Sequence, residues 1–200
     1  MPAQYGNAIL TNKGAELLTK AQAGLCKIAF VKMAIGNGTY SANEKTVSAL
    51  QQRTALKSQK NTYTFSDVYV YSEKSVKLTA LISNYDSVNQ QALVTTGYWI
   101  NEIGLFAKEQ GAADSTAILY SISVCSDAQG DYLPPYNGYN PAQITQDYFA
   151  TVDNSLEVTI NTAGAALLVE DANKIMDDTT HIQYKLGIDN GALYYQEVES

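Results

Sequence analysis

Two hundred residues, 46% hydrophobic and only 16% charged, can fill the core of one domain, or of one domain with a small appendage, beneath a surface of Ser, Thr, Asn, Gln and Tyr. The net charge of -7 and the scattered lysines give no basic footprint, so nucleic-acid binding is not expected. No run of about 18 apolar residues offers a membrane helix, and the N-terminal MPAQYGNAIL has neither the basic nor the apolar region of a secretory signal, which leads to the expectation of a chain made and kept in a cytoplasm until it is assembled.

In chain order, TNKGAELLTKAQAG predicts a helix, with Thr11 or Asn12 as its cap, Leu17, Leu18 and Ala21 as its apolar face, and Gly24 as its stop. LCKIAFVKMAI predicts a strand buried on both faces, Cys26, Ile28, Phe30 and Ala34 on one and Leu25, Ala29, Val31, Met33 and Ile35 on the other. Gly36-Asn37-Gly38 turns the chain. Ser41 and Glu44 have capping-box spacing, and with Val47, Leu50 and Leu56 they predict a second, short helix. KSQKN reads as a polar connector, and TYTFSDVYVY and VKLTALIS as a hairpin around SEKS.

The longest strand signal runs from Ala92 to Ala107, with TAILYSISVC as its hairpin partner. SDAQGDYLPPYNGYNPAQITQDY reads as a long loop, and DYFATV and SLEVTI as a last hairpin turning at Asp153-Asn154. LLVEDANKIMDD reads as a helical linker. The last residues form a small hairpin turning at Asp189-Asn190-Gly191. This order predicts an α+β fold, a mostly antiparallel sheet or sandwich with an N-terminal helix, a second short helix and a small C-terminal β-hairpin. The expected boundaries are 1–170 for the main domain, 171–179 for the linker and 180–200 for the hairpin.

Chemistry has few places to reside. Ser-His or Cys-His catalysis needs a histidine, and the only one is His181, beyond the apparent core. Neither CxxC nor HxxxH occurs, the DNG at Asp189 lacks the alternating acids of a calcium loop, and Gly36-Asn37-Gly38 has no Lys-Ser/Thr behind it to hold phosphate. Cys26 and Cys125 read as buried thiols. Asp147, Asp153 and Glu157 fall in one region where paired carboxylates could cleave a sugar. Tyr69 and Tyr71 share a strand face as half-buried packing. Tyr132, Tyr136 and Tyr139, in DYLPPYNGYNP, are candidate contacts for a partner protein or a glycan, because tyrosine gives contact area at low entropic cost.

One residue stands out. In an uninterrupted strand Tyr98, Ile100, Glu102, Gly104 and Phe106 share one face, and Trp99, Asn101, Ile103, Leu105 and Ala107 the other. A carboxylate there must find a cation, a set of backbone N–H groups, or solvent. With no histidine and no second acid near it in sequence, Glu102 reads as a structural anchor. Trp99 and Gly104 flank it in the same role, Gly104 permitting close approach or a bulge.

The ordered pieces AILTNKGAELLTKAQAG, IAFVKMAIGNG, YWINEIGLFA, AILYSIS and GDYLPP resemble the phage tail-collar fibre family, over residues 7–170. That resemblance implies the N-terminal, baseplate-attaching domain of a tail fibre from a contractile phage or phage-tail-like bacteriocin. It implies a baseplate protein as partner, a longer receptor-binding fibre as a second one, a homotrimer, a place in the virion tail after assembly in the bacterial host cytoplasm, and neither catalysis nor cofactor. YKLGIDNGALYYQEVE is similar to a segment of tail proteins from phages of Gram-positive bacteria. No long shaft or large tip follows within the chain, which leads to the expectation of a short adaptor or short fibre. The alternative is a carbohydrate-binding receptor-recognition module that grips a bacterial wall glycan with its tyrosine loop and tail.

Overall fold

The structure, a computed structural model, describes residues 5–72, 75–126, 129–151, 159–160, 174–176, 183–189 and 192–197. Two units divide the chain, residues 1–165 and 166–200. The first runs β1 (Ile9–Leu10), α1 (Asn12–Gln22), β2 (Ile28–Gly36), α2 (Val47–Gln51), β3 (Gln59–Tyr63), β4 (Phe65–Ser72) and β5 (Ser75–Ser83). A short hairpin of β6 (Tyr85–Asp86) and β7 (Gln91–Ala92) follows, then β8 (Tyr98–Ile100), β9 (Glu102–Glu109), a 3-10 turn at Asp114–Thr116 and β10 (Ile118–Val124). β11 (Asp131–Leu133), β12 (Gln143–Thr151) and β13 (Thr159–Ile160) complete it. The fold is α+β and mostly antiparallel, as the pattern of elements predicts.

Local chemistry explains the helices. Thr11 Oγ1 accepts the Gly14 N–H at 2.9 Å and starts α1, and Gly24 leaves it with a left-handed φ of +72°. The Ser41–Glu44 pair does form, with Glu44 accepting the Ser41 N–H at 2.8 Å, but it closes the turn before α2; Thr46 caps α2 itself. Leu50 and Leu56 are buried, whereas Val47 is exposed.

The main sheet has the order β1-β10-β9-β2. The outer edge of β2 is shared, with β13 parallel to its first half at Ala29 and Phe30, and β3 antiparallel to its second half from Met33 to Gly36. A second sheet, β12-β5-β4, faces it across the principal core. Ile28, Phe30, Met33 and Ile35 of β2 meet Leu78, Ala80 and Ile82 of β5 and Tyr148 of β12 in that core. The opposite face of the main sheet carries a smaller cluster of Ala34, Leu50, Leu56, Leu119, Ile122 and Val124. No described helix is long and apolar enough to cross a membrane.

Several expectations are corrected here. In β2 a bulge at Val31 lets Phe30 and Lys32 face consecutive residues of β9, so Ile28 and Phe30 share a face with Met33 and Ile35 instead of Ala34. The polar connector continues into a strand, β3, whose exposed Gln59 and Lys60 are tolerable at an edge. The expected long loop contains β11, paired with β8, and the start of β12. DYFATV pairs with β5 up to Thr151, and Thr159–Ile160, the described end of SLEVTI, lies parallel to β2; residues 155–158 and the turn at Asp153-Asn154 are outside the described residues. Tyr69 and Tyr71 are 45% and 60% exposed.

The second unit is an antiparallel sheet of β14 (Lys174–Met176), β15 (Gln183–Asp189) and β16 (Ala192–Glu197), with β15 in the centre. β15 and β16 form the expected hairpin, paired from Tyr184↔Glu197 to Asp189↔Ala192. β14 adds a strand within the stretch expected to be a helical linker, and the turn residues Asn190 and Gly191 lie outside the described residues.

Candidate functional site

The segment from Tyr98 to Glu109 is two strands, not one. It breaks at Asn101, which is only 9% exposed and makes four hydrogen bonds to three other segments. Its N–H donates to the Gly36 carbonyl and its carbonyl accepts from Cys125 N–H, both at 2.8 Å. Its side chain donates to the Asn37 carbonyl and accepts the Gly130 N–H. The break reverses the alternation. Tyr98 and Ile100 enter the principal core beside Ile103, Leu105 and Ala107, while Trp99 is left 41% exposed.

Glu102 is fully buried on the face opposite that core. Its Oε1 accepts the N–H groups of Gly38 at 3.1 Å and Ser58 at 2.7 Å. Its Oε2 accepts the Lys57 N–H at 2.7 Å and a short bond from the Tyr40 hydroxyl. Three backbone amides and one phenol thus surround a carboxylate with no cation against it. The Lys57 ammonium, whose own backbone N–H binds Glu102, is 2.6 Å from Glu44 instead. Burial and the neighbouring Glu102 charge together push the Tyr40 hydroxyl far above the usual phenol range.

The Gly36-Asn37-Gly38 turn is built around this carboxylate. A Cβ on Gly36 would collide with Glu102 Oε1 and lie 2.5 Å from the Ser58 carbonyl, and one on Gly38 would sit 2.6 Å from Oε1. The cradle of N–H groups resembles a backbone anion nest, already filled by the chain's own acid.

Gly104, on the same face of β9, has no room for a side chain either: its Cβ would press on Leu119 at 2.7 Å and Leu56 at 2.9 Å. It gives close approach, while the nearest bulge is in the partner strand β10, between Leu119 and Ser121. Trp99 stands apart from these two, on β8, and touches Tyr132 across the β8–β11 ribbon with ring centroids 5.0 Å apart. Tyr136 stacks on Tyr85 at 4.4 Å, and Tyr139 is 86% exposed.

Of the carboxylates considered for sugar cleavage, Asp147 alone lies among the described residues. Asp147 accepts from Thr79 Oγ1 at 2.7 Å and pairs with Lys77 at 2.8 Å. Asp153, Glu157 and His181 lie outside the described residues. Cys125 is buried and Cys26 half-buried, and the two are not joined by a disulfide. A cleft of about 390 Å³ beside α1 is lined by Lys13, Glu16, Lys20, Lys108 and Glu109, but its charges satisfy one another through Lys13–Glu16, Lys20–Glu109 and Lys108–Asp114 pairs of 2.7–3.1 Å.

Sequence reasoning missed three residues that organise this region. Asn101 was visible only as a polar residue in an apolar row. Buried Asn84 accepts from and donates to three other segments, bonding Leu93 and Val94, Pro134, and Ala142. Tyr5 donates to the Ile100 carbonyl at 2.7 Å. Nothing local in the sequence marks either contact. Compared with family models, curated proteins and solved structures, the chain matches none.

Proposed function

We propose that the chain is a structural component of a phage or phage-like tail, attaching a fibre to the baseplate or acting as a short fibre, and carrying out no bond chemistry. The reading starts from the motif order that resembles tail-collar fibres. The observation that supports it most is Glu102. The acid that a catalytic reading would choose first is fully buried and already accepts four hydrogen bonds. Such an acid ties two segments, 38–40 and 57–58, to β9 and has no free lone pair directed at a substrate. An exposed aromatic group on the β12-β5-β4 sheet, with Tyr69, Tyr71 and Phe149 between 45% and 60% exposed, supplies surface suited to permanent contacts.

In this reading the chain is a homotrimer docked on a baseplate protein. Light scattering over a concentration series tests self-association, and a pull-down with baseplate proteins of the same particle tests docking. The expected results are a concentration-dependent trimer and retention of one baseplate protein. A strict monomer that retains none defeats the proposal.

A further inference from the structure

The exposed Trp99–Tyr132 pair combines a fixed backbone with unused polar groups on both rings. Trp99 and Tyr132 are directly opposite in the β8–β11 ribbon, 41% and 46% exposed, with their planes tilted by 54°. Neither the indole N–H nor the Tyr132 hydroxyl has a protein partner among the described residues. A Cβ at Gly97 would collide with the Tyr132 hydroxyl, so the backbone there forms a close floor under that ring. The supporting segments are held by the Tyr5–Ile100, Asn84–Pro134 and Tyr136–Val94 hydrogen bonds, of 2.7, 3.1 and 2.8 Å. Two aromatic faces therefore await a ligand in a set geometry, with little ordering cost left to binding.

Size and charge choose the ligand. The two rings expose about 200 Å² together, given the roughly 150–250 Å² that each aromatic side chain can bury. A stable protein partner needs about 800 Å² on each side. One or two pyranose rings, with apolar C–H faces and hydroxyl edges, match the smaller area and can use the indole N–H and the phenol. Charge narrows the class: no Lys or Arg occurs from residue 78 to 107 or from 109 to 173, while Asp131 neighbours Tyr132. An anionic polymer finds no counter-charge on this ribbon.

We infer that the Trp99–Tyr132 ribbon is a binding site for a neutral saccharide. The inference stands apart from the adaptor reading, since a tail component can carry such a site or lack it.

Trp99 is the only tryptophan of the chain, so its fluorescence reports on the site directly. The full chain is titrated with an N-acetylglucosamine oligomer, with a neutral hexose oligomer, and with poly(glycerol phosphate) as the anionic control. At least one neutral oligomer should give a saturable change with a dissociation constant of about 1 mM. Tyr132→Ala should weaken it about tenfold, with an unchanged melting midpoint, while Leu25→Ser, an exposed change just beyond α1, leaves it unaltered. If Tyr132→Ala unfolds the chain, Tyr132→Phe is the test, and losing the hydroxyl should weaken binding about threefold. A flat response to both neutral oligomers overturns the inference. So does equal binding by the Tyr132 variant, or a stronger response to the anionic polymer.

Discussion

Replacing Glu102 by Gln exchanges one carboxylate oxygen for an NH₂ at a site with no exposure. The amide oxygen can keep two of the four donors, and the new NH₂ must face the others. The best arrangement puts the NH₂ at the Oε2 position, where Tyr40 can rotate its hydroxyl to accept. That still leaves the Lys57 N–H, now 2.7 Å from an acceptor, pointing at a donor. An orphaned buried N–H costs about 1–3 kcal/mol, and the remaining bonds lose the extra strength of a charged acceptor. The expected loss is therefore about 2–4 kcal/mol. For a unit of this size, 1 kcal/mol corresponds to roughly 2–4 °C, so the melting midpoint should fall by about 5–15 °C. Urea unfolding followed by Trp99 fluorescence measures the first unit alone, since that unit holds the sole tryptophan. Tyr40→Phe, which removes one donor and leaves three amides, should cost only about 1 kcal/mol. A Glu102→Gln loss below about 1 kcal/mol would refute the accounting, which assumes buried donors stay unsatisfied. Unchanged stability with abolished hydrolysis of a wall glycan would refute the anchor role itself.

Gly38→Ala should destabilise by about 2 kcal/mol or more, because its Cβ would be forced to 2.6 Å from the Glu102 oxygen; chemical denaturation checks it. Lys57 and the Ser41 N–H hold the Glu44 carboxyl down at about 2, against 4.5 when unfolded. Its contribution is therefore fully present above pH 4.5 and is lost as pH falls toward 2, so Glu44→Gln should flatten the melting curve across that window, less so in high salt. Deleting residues 166–200 should leave a soluble chain with a cooperative melt reported by Trp99; an insoluble or non-cooperative product would show that the two units depend on one another.

How much of this was legible depended on distance along the chain. The first helix was readable because Thr11, Leu17, Ala21 and Gly24 act within a few residues of each other. The need for an anchor at Glu102 was readable from its apolar flanks, yet its partners lie 44 to 64 residues away and carry no mark in the sequence. Strand periodicity misassigned faces twice, for one reason. A period of two assumes an uninterrupted strand, and the bulge at Val31 and the break at Asn101 each shift its phase. That is why Trp99, expected in the same anchoring role as Glu102, lies at the surface. The polar β3 escaped because an edge strand needs no apolar face.

The placement of Glu102 also bears on which pairings the chain can settle into. β9 aligns Glu102 with Gly36 on one side and Val124 on the other. Slide β9 by one residue and its faces exchange: the acid points into the principal core, and Ile103 faces the amides of Gly38, Lys57 and Ser58. Hydrocarbon then surrounds an unpaired charge, while three N–H groups lose their acceptor, at a cost of several kcal/mol from each side. An apolar residue at position 102 would remove that penalty, so a repacked variant could be as compact as the natural chain and yet sample neighbouring alignments, visible as broadened backbone resonances along β2, β9 and β10. The carboxylate, in this light, is a key that fits one alignment of the sheet and jams in the others.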